Sequence, residues 1–333
     1  MSLAQNIDLL AAAVRGKFNA IAGRLLLPGG AQGQLLGKAS AADFDYAWLN
    51  PGGGSAGAPI ELLDQGGVPA TPGSGLLKLY ARSRARRMFL DAVGPSGVDF
   101  TLQPAFFNSR VMIIAPSSGT TVSAQGIGVT TAATLSHPGL VTTSLVGSIY
   151  RTRCQTSTTA GNAAGIRHAA ATIWRGNAAG RGGFYHHVRF ASGNIALAGG
   201  QQFIGLSSST AALAGEPSAL ADCLGVVKDQ ADTQYHFVRR TGTGTVQRVA
   251  LGAFGANALM DLILFMPPNS STLGAVVRAF DTNGIASTLL DTTYTDFLPA
   301  NTTYLAGRFD VRNGASAAAA DADLVRMYTE SDF

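Results

Sequence analysis

The fold of this chain is decided by the stretch Phe184-Tyr185-His186-His187-Val188-Arg189-Phe190, in which apolar and polar residues alternate. Successive side chains of a β-strand point to opposite faces of its sheet. The alternation therefore predicts a strand with a core face and an outer face. Phe184, His186, Val188 and Phe190 lie on the core face, and Tyr185, His187 and Arg189 lie on the outer face.

Short β patterns of this kind recur along the chain, separated by turn residues. They cover residues 110–115, 144–154, 170–175, 202–206, 223–227, 234–240, 245–251, 260–266, 275–281, 306–311 and 324–329. The segments 240–244 and 281–284 have the Gly, Asn, Asp and Thr content of hairpin turns. The sequence predicts a mainly β protein whose C-terminal part is an antiparallel β-sandwich of jelly-roll type.

The composition supports this fold class. Charged residues make up 13% of the 333 residues, against about 25% in soluble globular proteins, and there are 41 glycines. The net charge of +4 is too small and too dispersed to indicate a nucleic-acid protein. With two cysteines, Cys154 and Cys223, the chain has no disulfide framework, and both are expected to be buried thiols. We expect neither a secretory signal nor membrane insertion.

The N-terminal residues differ from the rest, since they carry apolar side chains every three or four positions. This spacing places them on one stripe of a helix. The stripe covers only about three heptads and contains Gly16, so an isolated helix would be marginal. Packing on its own domain and a parallel bundle of identical chains would both stabilise it. We favour a trimeric bundle formed by Ile7, Leu10, Val14, Phe18 and Ile21.

Four parts follow from these patterns. Residues 1–27 form the N-terminal helix, and residues 28–75 form a neck and linker rich in Gly and Pro. Residues 76–104 form a β shoulder, and residues 105–333 form the sandwich.

The shoulder begins with period-two alternation over residues 77–90, which predicts a strand ended by Gly94-Pro95. Four arginines stand close together here: Arg82, Arg84, Arg86 and Arg87. They fit either a polyanion contact or a solvated strand face that pairs with acids of a neighbouring chain. We favour the second interpretation.

Residues that could carry catalysis or bind a metal are few. Neighbouring strand residues point apart, so His186 and His187 are not expected to share a metal, and we predict no metal or other cofactor. Many aspartates, Asp261 and Asp310 among them, resemble turn-forming residues more than a catalytic pair. We therefore predict that the protein is not an enzyme.

Two clusters are candidates for binding a sugar or an anion. Tyr185, His187 and Arg189 combine stacking and hydrogen-bonding groups on one predicted face. Trp174 and Arg175 adjoin in a predicted loop and could form a saccharide platform. A plain surface or subunit interface for the first cluster, and a core position for Trp174, are the structural alternatives.

Several stretches of the chain resemble tail-fibre and minor tail proteins of tailed bacteriophages. Residues 33–51 contain Gly-Gln-x-Leu-x-Lys followed by Asp-Phe-Asp-Tyr-Ala-Trp, which is similar to a segment near the N-termini of those proteins. Residues 77–82, 93–97 and 102–104 are similar to the junction before their C-terminal β domain. Residues 205–210, 216–218, 222–225, 231–233 and 327–333 resemble that domain.

The resemblance implies a homotrimeric receptor-binding protein of a virion, assembled in the host cytoplasm. Its N-terminus would attach to tail or baseplate proteins, and its β head would bind a glycan, lipopolysaccharide or protein receptor on the host. A purely structural tail or baseplate component, and a spike that degrades polysaccharide, stay open as alternatives. The resemblance supplies no catalytic residues.

Overall fold

The computed structural model describes residues 3–25, 35–38, 46–49, 61–95, 99–101, 110–117, 120–133, 135–178, 180–193, 199–253 and 255–331. Its contacts divide the chain into two compact units, Met1–Leu63 and Asp64–Phe333. Residues 76–104 thus belong to the same unit as the strands that follow them. The four-part division stays a prediction, and much of the neck and of the 33–51 stretch lies outside the described residues.

The first unit contains the predicted helix, α1 (Leu3–Leu25), followed by a short antiparallel pair, β1 (Leu35–Lys38) and β2 (Tyr46–Leu49). Three residues of the predicted stripe, Ile7, Leu10 and Val14, are 57%, 67% and 56% exposed. The side chains of Phe18 and Ile21 lie outside the described residues. The helix is confirmed, and its described apolar side chains face solvent in the single chain.

The second unit begins with a three-stranded sheet, β3 (Lys78–Arg84), β4 (Arg87–Val93) and β5 (Asp99–Thr101). The single strand predicted over residues 77–90 is wrong, because the chain reverses at Ala85 and Arg86. Both residues have positive φ, 51° and 70°. Such two-residue turns normally use Asn or Gly, so the sequence does not mark this one.

Three of the four arginines of this hairpin, Arg82, Arg84 and Arg87, pair within their own chain, which corrects for them the predicted pairing with a neighbour. Arg82 and Arg84 contact the buried carboxylate of Asp91 at 3.2 and 2.6 Å. Arg87 contacts Glu330 at 2.6 Å. The hairpin is therefore tied to the rest of its unit by charge as well as by packing.

The remaining strands form two antiparallel sheets. In chain order they are β6 (Arg110–Pro116), β7 (Val122–Gln125), β8 (Val129–Ala132), β9 (Leu135–Ser136), β10 (Thr152–Gln155), β11 (Ala163–His168), β12 (Phe184–Ala191), β13 (Gln201–Ser207), β14 (Leu224–Lys228), β15 (Tyr235–Arg239), β16 (Gln247–Gly252), β17 (Leu259–Met266), β18 (Leu273–Phe280), β19 (Ala286–Tyr294), β20 (Ala306–Arg312) and β21 (Asp321–Ser331).

Among the described residues, sheet I has the order β19-β18-β17-β12-β21-β10-β9, with β6 also pairing with β21 and β7 pairing with β6. Sheet II has the order β16-β15-β14-β13-β20-β11-β8. The two sheets enclose one large apolar core, to which both contribute, for example Phe190 and Leu262 from sheet I and Phe237 and Phe309 from sheet II. The mainly β, sandwich fold predicted from the sequence is confirmed.

The strand predictions were correct where alternation or apolar runs are long. The strand predicted over residues 144–154 is correct only at its end, because residues 144–149 form turns and bends and β10 starts at Thr152. The strand predicted over residues 170–175 is wrong, because this segment contributes one isolated bridge at Ile173. Within the two large sheets, five strands carried no recognised signal, namely β7, β8, β9, β11 and β19. Both predicted hairpin turns are confirmed, since they join β15 to β16 and β18 to β19.

The outer face of sheet II is covered in its middle. Phe203, Cys223, Val227 and Val238 form a small apolar cluster there, against which Leu220 packs. Cys223 and Cys154 are buried free thiols, as predicted, and burial raises the pKa of Cys223 to about 12.

Beside this cluster, Arg308 donates hydrogen bonds to the carbonyl oxygens of Ser209 and Ala211 at 2.8 and 2.9 Å. These hydrogen bonds hold the segment around residues 209–211 over sheet II.

Candidate functional site

The outer face of sheet I is covered at both ends and open between them. At one end the β3–β4 hairpin places Ala85 and Phe89 on Tyr185, Ile263 and Val276. At the other end, the turn segment 144–149 places Val146 on Ala191 and Leu259. We call the open part between them the central strip; it consists of Arg278, Asp261, Arg189, Arg326, His187 and Tyr328.

The central strip is built by the register of four adjacent strands. Arg278 of β18 lies opposite Asp261 of β17, Asp261 lies opposite Arg189 of β12, and Arg189 lies opposite Arg326 of β21. Because side chains directly opposite on neighbouring strands share a face, these four residues form one cross-strand row. His187 and Tyr328 are opposite each other in the next row.

Asp261 organises this row. Its two carboxylate oxygens accept hydrogen bonds from Nε and Nη2 of Arg189, both at 2.8 Å, and His187 Nε2 lies 3.2 Å from Oδ1. Burial by itself raises the pKa of Asp261, but the hydrogen bonds from Arg189 and the proximity of His187 outweigh burial and hold that pKa well below its usual range. Asp261 is thus a buried, ionised anchor for two side chains.

The same contacts fix the arginine. The hydrogen bond to Asp261 raises the pKa of Arg189 above its ordinary value, and the guanidinium carbon lies 4.9 Å from the ring centroid of Phe280. The Arg189 side chain is still 35% exposed. Its charge is therefore oriented by the protein and open to solvent on one side.

The predicted trio is only partly available to a ligand. The sequence placed Tyr185, His187 and Arg189 on one outer face, and the structure confirms that placement. Tyr185, however, is 7% exposed, because the hairpin covers it and Phe89 packs edge-on against it at 5.7 Å. Burial raises the pKa of Tyr185 to about 12. Tyr185 therefore packs under the β3–β4 hairpin and is not accessible to a ligand.

Trp174 and Arg175 form a separate surface. Trp174 is half-buried and stacks on Tyr304, with ring centroids 5.2 Å apart, and Tyr304 is 49% exposed. The core position considered for Trp174 is wrong, because an exposed ring is its partner. The backbone carbonyl of Arg175 accepts a hydrogen bond from Asn269 N at 2.8 Å. In the described part of the chain, the ring contacts found for Trp174 do not reach the central strip.

Sequence reasoning missed Arg278, Arg326 and Tyr328, and it treated Asp261 as a turn former. Asp261 is in fact the third residue of the eight-residue strand β17. The signal was available, since Asp261 is the one charged residue in the otherwise apolar run 259–266. Asp310 is likewise not a turn residue, because it lies inside strand β20.

A cavity of about 550 Å³ adjoins the strip at the end covered by the 144–149 segment. Its lining includes Leu145, Asn257, Phe280 and Asp281. Phe280 contacts Arg189 as well as this cavity. The oriented arginine is thus linked to a recess with both apolar and polar walls.

A second polar cluster lies at the edge of sheet II and contains Ser218, Asp229, Asp232, His236 and Arg248. Ser218 Oγ donates to Asp229 Oδ2 at 2.5 Å, while His236 Nδ1 lies 3.0 Å from Arg248 Nη2. A serine nucleophile requires a hydrogen bond to its histidine base. Here the serine is bonded to a carboxylate that Arg248 also contacts at 3.0 Å. The contacts make this a structural ion-pair network.

Within the described ranges, no group of three or more His, Cys, Asp or Glu side chains is arranged to hold a metal ion. Of the described helical residues, none belong to a helix with the length and apolar character needed to cross a membrane.

Comparison with known proteins gives structural neighbours alone. No protein-family model matches the chain, and no curated protein matches it. Peanut lectin with a nine-residue peptide is 10% identical over 67% of this chain and 97% of the lectin, with a TM-score of 0.45. Lectin II from Ulex europaeus is 12% identical over 62% and 93%, with a TM-score of 0.39.

A carbohydrate esterase from the Shiga toxin-encoding bacteriophage phi24B is 15% identical, over 62% of this chain and 90% of the esterase, with a TM-score of 0.36. All three TM-scores are below 0.5. The assignment as a β-sandwich therefore rests on the strand pairing of this chain itself.

Proposed function

We propose that this protein is a receptor-binding protein of a tailed bacteriophage and that its β head binds a host-surface glycan through the central strip. The observation that carries the proposal is the cross-strand row Arg278–Asp261–Arg189–Arg326, in which the three arginines are half-buried or exposed around the buried Asp261, between two covered ends of the sheet. Saccharides offer hydroxyl donors and acceptors together with apolar ring faces. Arginine, histidine and carboxylate groups beside the Phe280 ring match that chemistry.

The N-terminal helix supports the trimeric part of the proposal. Ile7, Leu10 and Val14 lie on one stripe and are each more than half exposed in the single chain. Three such helices in a parallel bundle would bury this stripe. Linking several weak sites raises avidity by orders of magnitude without any new contact, and a glycan-binding trimer would use this effect. Attachment to tail or baseplate proteins through the N-terminus rests on the sequence resemblance.

The test is binding of the purified, fluorescently labelled protein to candidate host cells with and without periodate oxidation of their surface glycans. We expect saturable binding that is lost after oxidation, and weaker binding by the Arg326→Ala variant. Arg181→Ala is the matched control, since Arg181 is an exposed arginine in the loop before β12. Unchanged binding after oxidation would contradict a glycan receptor.

Other outcomes separate the alternatives. Absence of binding to every susceptible host would favour a structural tail component. Release of reducing ends from capsule or lipopolysaccharide would favour a polysaccharide-degrading spike. Sedimentation of the full chain as a monomer at micromolar concentration would contradict the trimer, and Leu10→Asp is expected to produce that monomer.

A further inference from the structure

The central strip has more positively charged side chains than its one carboxylate, Asp261, can neutralise. Its main row contains three guanidinium groups and one carboxylate, and both oxygens of that carboxylate are already bonded to Arg189. His187 also faces Asp261. Asp261 therefore has no free oxygen to bind a second arginine in a bidentate way.

Arg278 and Arg326 are the two arginines left over. In the described part of the chain, neither has a carboxylate oxygen within 4 Å, and Arg326 is exposed while Arg278 is half-buried. The carboxylate of Asp323, further along β21, is held by Arg151 and Arg153 at 2.7 and 2.8 Å.

Elsewhere in this unit, some aspartates contact two arginines at once. Arg82 and Arg84 share Asp91, and Arg167 and Arg308 share Asp310. The central strip departs from this pattern, because Arg189 and Arg326 are directly opposite each other and like charges in that position are destabilising. An anion bound beside Arg189 and Arg326 would offset this repulsion.

The geometry defines the ligand further. Neighbouring strands lie about 4.8 Å apart, so the row from Arg278 to Arg326 extends over about 14 Å. Guanidinium groups bind carboxylate and phosphate oxygens through paired hydrogen bonds. The Phe280 ring and the 550 Å³ cavity beside it offer a place for an apolar sugar face. An extended ligand with negative charges and ring faces fits this surface.

We infer that the glycan bound by the central strip is an acidic saccharide, whose carboxylate or phosphate groups are bound by Arg278 and Arg326. This inference rests on the proposed glycan-binding function. Arg189 and Asp261 hold each other in place, while Arg278 and Arg326, which have no carboxylate partner among the described residues, supply the contacts that discriminate acidic from neutral sugars.

The experiment measures binding of the full chain to three immobilised glycans: a uronic-acid oligosaccharide, the same oligosaccharide with its carboxyl groups reduced to alcohols, and a phosphorylated oligosaccharide. We expect binding to at least one acidic glycan and at least tenfold weaker binding to the neutral one. Arg278→Ala and Arg326→Ala should each weaken acidic-glycan binding about tenfold or more. Binding should also decrease as salt concentration rises.

Arg181→Ala is the control and should bind like the wild type. Since Arg278 and Arg326 have no native carboxylate partner among the described residues, neither variant is expected to melt below the wild type, and Arg326→Ala should melt at the same or a higher temperature because it removes the repulsion from Arg189. Arg326→Gln, which retains hydrogen-bond donors without the charge, repeats the test should the alanine variant melt earlier.

Periodate-sensitive cell binding that is unchanged in both arginine variants, with equal binding to the reduced glycan, would overturn the acidic-saccharide inference and leave glycan binding intact. Absence of any periodate-sensitive cell binding would overturn the proposed function, and the inference with it.

Discussion

The buried charge cluster on sheet II provides the sharpest test of the structure. Asp310 of β20 has no exposed surface. It accepts hydrogen bonds from Arg167 Nη1 at 2.6 Å and from Arg308 Nε at 2.8 Å. Arg167 and Arg308 side chains are 3% and 0% exposed. We predict that Asp310→Asn, which keeps the shape and removes the charge, strongly destabilises the β unit.

The size of the effect follows from these contacts. A hydrogen bond to a charged group contributes about 1.5–3 kcal/mol, and two such bonds are affected. Removing one partner of a buried ion pair typically costs about 3–5 kcal/mol, because the remaining charge stays buried without compensation. Here two guanidinium groups remain. We therefore expect the free energy of unfolding to fall by about 3–5 kcal/mol.

The assay is urea denaturation followed by the fluorescence of Trp174, in a Trp48→Phe background so that the β unit alone is reported. Asp291→Asn is the matched control, since Asp291 is an exposed aspartate on strand β19. It should change the free energy of unfolding by less than about 0.5 kcal/mol. A loss below about 1 kcal/mol for Asp310→Asn would refute the argument that the two arginines depend on this carboxylate.

Three further perturbations test the hairpin and the core. Arg86→Gly is expected to raise the free energy of unfolding by about 1 kcal/mol, because Arg86 is exposed and has a φ of 70°; a lower melting temperature would contradict this. Gly274→Ala should destabilise by about 1–3 kcal/mol, because a Cβ there would lie 2.4 Å from the carbonyl oxygen of Ala85. Gly73→Ala, where a Cβ meets no neighbour within 4 Å, is its control, and equal melting temperatures of the two variants would count against the hairpin contact. Burial lowers the pKa of His168 to about 4, so the unfolded chain binds more protons than the folded chain between pH 6.5 and 4. His168 therefore accounts for a loss of up to about 3 kcal/mol in the free energy of unfolding as the pH falls through that range. His168→Leu should remove this contribution, and the same difference in the free energy of unfolding between pH 7 and pH 4.5 in both proteins, measured by urea denaturation, would disprove the role of His168.

Features with a local cause could be predicted from the sequence. The alternation in residues 184–190 assigned each side chain of β12 to the correct face, because a strand has only two faces and its period is fixed. The apolar spacing at the N-terminus predicted α1 for the same reason. Gly284, with a φ of 79°, marks the β18–β19 turn through its own conformational freedom.

Elements without a local cause could not be predicted. Ala85 and Arg86 turn without the usual residues, because packing of Ala85 against Gly274 holds them there. Strand β11 reads Ala-Ala-Gly-Ile-Arg-His and strand β19 is polar on its exposed side. Both form through pairing with neighbouring strands.

The central strip likewise has a part with a local cause and a part without one. The sequence alone determined that Tyr185, His187 and Arg189 share a face, and that this face carries an arginine able to bind a sugar or an anion. Only the tertiary structure decided that Arg278, Asp261 and Arg326, from strands distant in the chain, complete the row. The register between strands is set by the packing of the whole sandwich, since a shift of one residue would move every side chain to the opposite face.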